Sequence, residues 1–388
     1  MFKILTLNNI SVAGLDRLPR DHYEVASEIQ HPDAILVRSH NMHEMPIPQT
    51  LKAIGRAGAG VNNIPVDRMS THGIVVFNAP GANANAVKEL VLAGMLLAAR
   101  NICQAWDYAR GLHGTDAEIR KAAEAGKKQF VGFELPGRAL GVIGLGAIGV
   151  KVANAAIALG MRVIGYDPDI TVTRAWQLSS DVQQAASLDD LLSRSEFVTM
   201  HVPLANGTRG MIDPKRLRAM REGSVLLNFA REEIVDEHAV ADALSAGRLR
   251  AYVCDFPGNA LRAHPRVVML PHIGASTLEA EENCAVMVAD QVRAYLEEGT
   301  VHNSVNFPEV EMTRSPGSYR LAVVNANVPN MLGQISTTLA NAGLNIVDML
   351  NKSRGELAFT LADVETPVPA KVVGEIAAIQ GVLAVRTL

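Results

Sequence analysis

The segment Gly144-Leu145-Gly146-Ala147-Ile148-Gly149 lies between an apolar strand pattern and a helical one, and an acid closes the strand that follows. Ahead of it, Arg138-Ala139-Leu140-Gly141-Val142-Ile143 reads as a strand buried on both faces, as parallel strands are. Residues 150–159 carry helix formers with an apolar face. Arg162-Val163-Ile164-Gly165-Tyr166-Asp167 is a second apolar strand, ending in a carboxylate. A glycine fingerprint alone is a weak signal. One that closes a strand, opens a helix and precedes an acid at the next strand's end is specific for a doubly wound, dinucleotide-binding sheet.

Each residue of that unit has a physical task. Gly144 allows a tight turn off the strand, Gly146 lets the backbone approach a pyrophosphate, and Gly149 lets helix and strand pack closely. Ala147 and Ile148 open the helix, whose free N–H groups and positive dipole end suit phosphates. Asp167 can accept from ribose hydroxyls and repels a 2'-phosphate. Pro168, not an Arg, follows it, so NAD is expected rather than NADP. The competing reading is a glycine turn of some other α/β fold, with Asp167 as a cap.

The chain has 388 residues, hydrophobic content of 48% with only 4% aromatics, and a net charge of −4. That fits two or three domains with Ala/Val/Leu/Ile-rich cores. No long run of one sign is present, which argues against nucleic-acid or membrane-surface binding. Cys103, Cys254 and Cys284 are far apart and show no metal-ligand spacing, so no metal is expected and a reducing, cytoplasmic setting is. Met1-Phe2-Lys3-Ile4-Leu5 runs straight into a strand pattern, so no signal peptide is expected. The longest apolar run, residues 90–99, is about half the length that spans a bilayer.

Residues 1–85 pattern as a small α/β domain, with strands at 3–7, 33–39, 52–60 and 74–78. A helix over 86–99 bridges to the next domain. Over 138–275 strands alternate with helices, including strands at 196–201, 224–229 and 267–270, which predicts a doubly wound parallel sheet. A helix over 278–297 returns the chain to the first domain. The expected division is therefore 1–85 with 276–310, then 86–275, then 318–388. Residues 307–317, with Pro308, Pro316 and Gly317 among polar residues, pattern as a linker. The last segment reads β-α-β-β-α-β, the ferredoxin-like split motif.

Two later motifs carry chemistry. In Leu227-Asn228-Phe229-Ala230-Arg231, an Arg just past a strand end offers a planar fork suited to a carboxylate. In Leu270-Pro271-His272-Ile273-Gly274-Ala275-Ser276-Thr277, His272 sits just beyond another strand end. Imidazole is the natural proton partner of a hydroxyl that loses hydride. Taken singly, such an Arg is more often a surface ion pair and such a His a core or cap residue.

Together with His201-Val202-Pro203-Leu204 and Thr208, these motifs resemble the D-isomer-specific 2-hydroxyacid dehydrogenases over residues 1–305. The resemblance implies a flavodoxin-like substrate domain and a Rossmann NAD domain, with Arg231 and His272 catalytic. It implies cofactor contacts at Gly144, Gly146, Ala147, Ile148, Gly149, Asp167, His201, Val202, Pro203, Thr208, Phe229, Ala230, Asp255, Gly274 and Ala275. It implies substrate contacts at Arg38, Ser39, Gly60, Val61 and Asn83. The layout is most similar to the branch acting on D-3-phosphoglycerate, with domain closure excluding water. One departure stands out. Where the family has Asp-Val-Phe-x-x-Glu-Pro, whose Glu partners the catalytic His, this chain has Cys254-Asp255-Phe256-Pro257-Gly258-Asn259-Ala260. Asp255 is the nearest carboxylate in sequence.

Residues 318–388 resemble the ACT regulatory domain. That implies an L-serine effector held by Asn327 and Asn345 between two chains, hence a homo-oligomer, or alternatively a domain used for assembly alone. Two rival functions remain: another D-2-hydroxyacid oxidoreductase of the glyoxylate or D-lactate type, and an NAD-binding corepressor or redox sensor.

Overall fold

Ala34-Ile35-Leu36-Val37 is buried at all four positions, as a strand covered on both faces must be. It is β3 of a five-stranded parallel sheet, with β1 (Phe2–Leu7), β2 (Tyr23–Ala26), β4 (Ala53–Arg56) and β5 (Val75–Phe77), in the order β2-β1-β3-β4-β5. The computed structural model describes residues 1–388. It comprises two units, Met1–Asn83 with Leu278–Leu388, and Ala84–Thr277. In the first, the helix Leu278–Glu298 buries Cys284, Ala285, Val288, Ala289, Val292 and Tyr295, a stripe at helical spacing, against this sheet. Gly14, in the short helix Val12–Leu15, lets that helix lie close against the long one, since a Cβ there would lie 2.6 Å from Ala285.

The second unit holds a seven-stranded parallel sheet: β6 (Ala139–Ile143), β7 (Arg162–Tyr166), β8 (Gln183–Gln184), β9 (Phe197–Met200), β10 (Ser224–Asn228), β11 (Leu249–Cys254) and β12 (Val267–Met269). The order β12-β11-β10-β9-β6-β7-β8 reverses direction between β6 and β9. Open α/β sheets bind ligands at such a switch point, beyond the carboxyl ends of the strands. The sequence reading passes over β2, β8 and β11. Strand β11 is an interior strand and mostly buried, but Arg248 before it and Arg250 within it dilute its apolar signal. The expected strand over 52–60 stops at Arg56, where the glycines begin.

The third sheet is antiparallel, with β13 (Tyr319–Ala326), β14 (Ile346–Arg354), β15 (Leu357–Val364) and β16 (Val382–Thr387) in the order β14-β15-β13-β16. Together with helices Met331–Asn341 and Ala370–Ala377 it forms an ACT-like α+β domain. Strand alternation divides its side chains cleanly. Leu321, Val323, Ala362 and Val364 face these two helices, whereas Ala322, Val324, Phe359 and Leu361 join the core around Tyr295. The expected linker is not a free tether: Phe307, Val310 and Met312 are buried in that same core.

Arginines close this junction. Helix Leu278–Glu298 ends with carbonyls that have no partner within the helix. Arg386 donates to the carbonyls of Tyr295 (2.5 Å) and Leu296 (3.3 Å) and lies 4.1 Å over the Tyr295 ring. Arg320 donates to the Glu298 carbonyl (3.1 Å) and makes a bidentate pair with Asp363 at 2.7 and 2.8 Å. Both partners of that pair are buried, with side-chain exposures of 1% and 0%. Burial pushes the Asp363 carboxyl up, yet Arg320 and the Ser315 amide hold it below the usual range. Breaking a buried pair leaves one charge uncompensated. Asp363→Ala is therefore expected to lose about 3–5 kcal/mol in chemical denaturation. Replacing Arg320 with Met in that background should restore part of the loss.

Candidate functional site

The glycine turn and the end of β9 meet at the switch point. Gly144 has φ +86°, and a Cβ there would lie 2.7 Å from the His201 carbonyl oxygen and from Val202. At Gly149 the crowding comes from the turn itself, since a Cβ there would stand 1.9 Å from the Gly144 carbonyl oxygen. Gly146 is different: a Cβ would meet nothing within 4 Å and would project into open space at the start of helix Ala147–Ala158. The first backbone N–H groups of that helix have no intrahelical partner, and no side chain caps them.

Asp167 follows β7. One carboxylate oxygen accepts from the Leu145 amide (2.8 Å) and the other from the Asp169 amide (2.9 Å). The acid thus braces the glycine turn, and each oxygen keeps further acceptor capacity. Beside it opens a cavity of about 220 Å³, walled by Leu145, Gly165, Ile170, Leu178 and Val182. An apolar slot with a carboxylate at its rim, next to an unobstructed helix start, fits an adenine, a ribose and a pyrophosphate in that order. His201 adds a polar group that the protein leaves unpaired: Nε2 lies 3.0 Å from Thr199 Oγ1, while buried Nδ1 has no partner. Burial lowers its pKa to about 3, so the ring is neutral near pH 7. Thr208 closes the loop after Pro203, donating to the Pro203 carbonyl (2.6 Å) and accepting from the Ala205 amide (2.8 Å).

Arg231 follows β10 and is exposed, whereas Phe229 and Ala230 before it are buried. What fixes this turn is Asn228, the fully buried last residue of β10. Its Nδ2 donates to the Arg231 carbonyl (2.9 Å) and its Oδ1 accepts from the Ala230 amide (3.1 Å). The Tyr252 hydroxyl lies 3.5 Å from the same Nδ2. The sequence analysis missed this role. Its one signal is a lone amide ending an otherwise apolar buried strand.

His272 follows β12 with φ +56°, and its ring packs edge-on against Phe256, with centroids 5.2 Å apart. No carboxylate touches the ring. Asp255 instead accepts from the Ile273 amide (2.8 Å) and the Gly274 amide (2.7 Å). It orients the histidine through the backbone of its loop, not through the imidazole as its place in sequence implies. Ala275 continues that loop.

The remaining residues lie in the first unit. Arg38, Ser39, Gly60 and Val61 follow the carboxyl ends of β3 and β4, and Asn83 ends the unit's first segment. The Arg38 guanidinium pairs with Glu281 at 2.7 Å, and Asn8 accepts from the Ser39 and His40 amides. Asn327 donates to the Gly355 carbonyl (3.0 Å) and Asn345 to Glu365 (2.9 Å). The strand register sets these two at opposite ends of the third sheet. Eight residues of strand separate them, on the order of 25 Å, so one chain cannot place both amides on one small ligand.

Residues 102–274 match the D-isomer specific 2-hydroxyacid dehydrogenase, NAD binding domain. Over 383 residues, 96% of this chain and 90% of the relative, the sequence is 32% identical to the D-3-phosphoglycerate dehydrogenase of Haemophilus influenzae. This chain belongs to the D-isomer specific 2-hydroxyacid dehydrogenases. It is also 36% identical over 344 residues to the D-3-phosphoglycerate dehydrogenase of Methanocaldococcus jannaschii, covering 86% of this chain but only 62% of that longer protein. Among solved structures, the NAD+-bound 3-phosphoglycerate dehydrogenase of Entamoeba histolytica matches with a TM-score of 0.62 at 25% identity, over 79% of this chain and 98% of that one. No helix is long and apolar enough to cross a membrane.

If Asn228 serves Arg231, removing its amide should cost turnover more than stability. Asn228→Ala is expected to lower kcat/KM by about tenfold or more, through loss of positioning. In an Arg231→Lys background the same change should cost little further. Additive losses in that double-mutant cycle would reduce Asn228 to a purely structural residue.

Proposed function

We propose that this protein oxidises D-3-phosphoglycerate reversibly at C2, with NAD as the acceptor, and so supplies a 2-keto acid to phosphorylated serine biosynthesis. The observation that carries the reading is the Arg231 turn, clamped by buried Asn228 at the end of β10 in a sheet whose switch point suits a dinucleotide. The Haemophilus influenzae relative, matched nearly end to end, bears the name of that activity.

NAD, when bound, supplies the hydride acceptor at its nicotinamide. The glycine turn 144–149, the first turn of the helix behind it and Asp167 would hold it. Arg231 holds the substrate carboxylate with its fork and stabilises the charge that develops on the C2 oxygen. His272 takes the proton of the C2 hydroxyl during oxidation and returns it during reduction. Arg38 is our candidate for the second cation that a phosphorylated acid requires and an unphosphorylated one does not. The test is initial NADH formation with D-3-phosphoglycerate, D-glycerate and D-lactate. Preference for D-lactate would overturn the substrate, and no turnover of any of them would favour a sensor. Arg231→Lys should cut kcat/KM by about a hundredfold, because Lys loses the bidentate geometry, with NAD affinity unchanged. Near-normal turnover in that variant would remove the carboxylate role.

We further infer that L-serine binds where two third sheets meet, in a homo-oligomer. Edge strand β14 run antiparallel to its copy would bring Asn345 of one chain to the Gly355 end of the other, where Asn327 lies. Inhibition follows only if serine binds one conformation better than another. Calorimetric titration of serine should show binding to the wild type and none to Asn327→Ala/Asn345→Ala. Equal binding to both would exclude these amides.

A further inference from the structure

Arg250 is the second residue of β11, at the amino end of the parallel sheet, opposite the end that carries Arg231 and His272. It opens onto a recess of about 190 Å³ whose polar lining is Asn101, Gln104, Gln129, Arg250 and Arg266. The apolar part of the wall includes Leu97, Phe130 and Val268, and no acidic residue contributes.

Three guanidinium groups gather here, and only one has an acid. Arg138 pairs with Glu196 at 2.7 Å, donates to the Glu134 carbonyl (2.9 Å) and lies 4.0 Å over the Phe133 ring. Arg266 reaches only the Leu244 carbonyl, at 3.5 Å. Arg250 lies 4.7 Å over Phe133 and has no hydrogen-bond or ion-pair partner; its Nε is buried and unsatisfied. Burial lowers the Arg250 pKa, and the charges of Arg138 and Arg266 lower it further. A partly buried, unpaired guanidinium facing like charges opposes folding. Phe133 alone does not require it, since an uncharged side chain would cover that ring without the repulsion.

We propose that this recess is a binding site for a small oxyanion, a phosphate monoester or a carboxylate, distinct from the cofactor and substrate region. Both groups present the paired oxygens that a guanidinium fork accepts side by side. Arg250 and Arg266 supply the charge, and the amide of Gln129 supplies a neutral donor. The apolar wall limits the ligand to one with a short carbon body or none.

The test compares wild type, Arg250→Gln and Arg266→Gln as full chains, in chloride, inorganic phosphate and succinate at equal ionic strength, which separates site binding from general screening. Thermal midpoint and calorimetric affinity are read. In chloride, Arg250→Gln should melt no lower than wild type, because an uncompensated charge has been removed. Phosphate, succinate or both should raise the midpoint of wild type. The responding anion identifies the ligand source. Either substitution should weaken that anion by about tenfold or more, the loss of a charge-assisted pair. Equal responses of wild type and variants, or no response to either anion, would overturn the proposal. So would an Arg250→Gln protein that melts well below wild type in chloride. A wild-type midpoint that rises with protein concentration, only when Arg250 is present and in chloride alone, would assign the recess to a second chain's carboxylate and overturn it likewise.

Discussion

The Gly144 carbonyl oxygen stands where the side chain of residue 149 would begin. That one close approach sets the entry angle of helix Ala147–Ala158 against β6. It holds the helix start at the point where the strand order reverses, and the open face at Gly146 follows from it. The same turn is braced from two sides, by His201 and Val202 after β9 and by the Asp167 carboxylate after β7. Three strands therefore converge on six residues. Such a turn suits the dinucleotide proposed to bind here, because a helix start leaves backbone N–H groups without intrahelical partners.

The two groups proposed to meet substrate within this unit are held by the same device. Arg231 and His272 project from loops whose backbones are pinned by a buried neighbour, Asn228 in one case and Asp255 in the other. Neither side chain is itself locked by a polar partner of opposite charge. The arrangement fixes where each side chain starts; Arg231 Nη1 donates to the Ala230 carbonyl (2.6 Å), and its other N–H groups are left to engage a ligand. The absent family Glu fits this pattern: the histidine is held by its loop and by Phe256, not by its ring nitrogen.

In the other unit, helix Leu278–Glu298 plays the organising part. One stripe packs on the first parallel sheet and its carboxyl end receives Arg386 and Arg320 from the antiparallel sheet. Cations at a helix carboxyl end satisfy orphan carbonyls and complement the dipole together. The C-terminal domain is thereby built into the unit's core, with the residues patterned as a linker contributing Phe307 and Val310 to it.

Much of this was legible in the chain. Strongly periodic segments announced themselves: β3, β6, β7 and the helix Leu278–Glu298 fall within a residue or two of their patterns. The glycine spacing specified the turn, because only residues without a Cβ tolerate those contacts, and the ferredoxin-like order of the tail could be read from alternation. A capping box at Thr115 and Glu118 marks the start of the helix Asp116–Gly126. Local pattern could not show which buried polar group serves which loop. Asn228, Asp255 and Arg320 find their partners two to 43 residues away, and a side chain's hydrogen-bond partner depends on where other strands end. Nor could it show that Asn327 and Asn345 lie at opposite ends of one sheet, which register alone decides. The sequence by itself determined the elements and the chemistry they carry, since both rest on covalent geometry and near-neighbour spacing. Only the tertiary structure decided how those groups are held and which charges stay unpaired, since desolvation and hydrogen bonding act between segments distant along the chain.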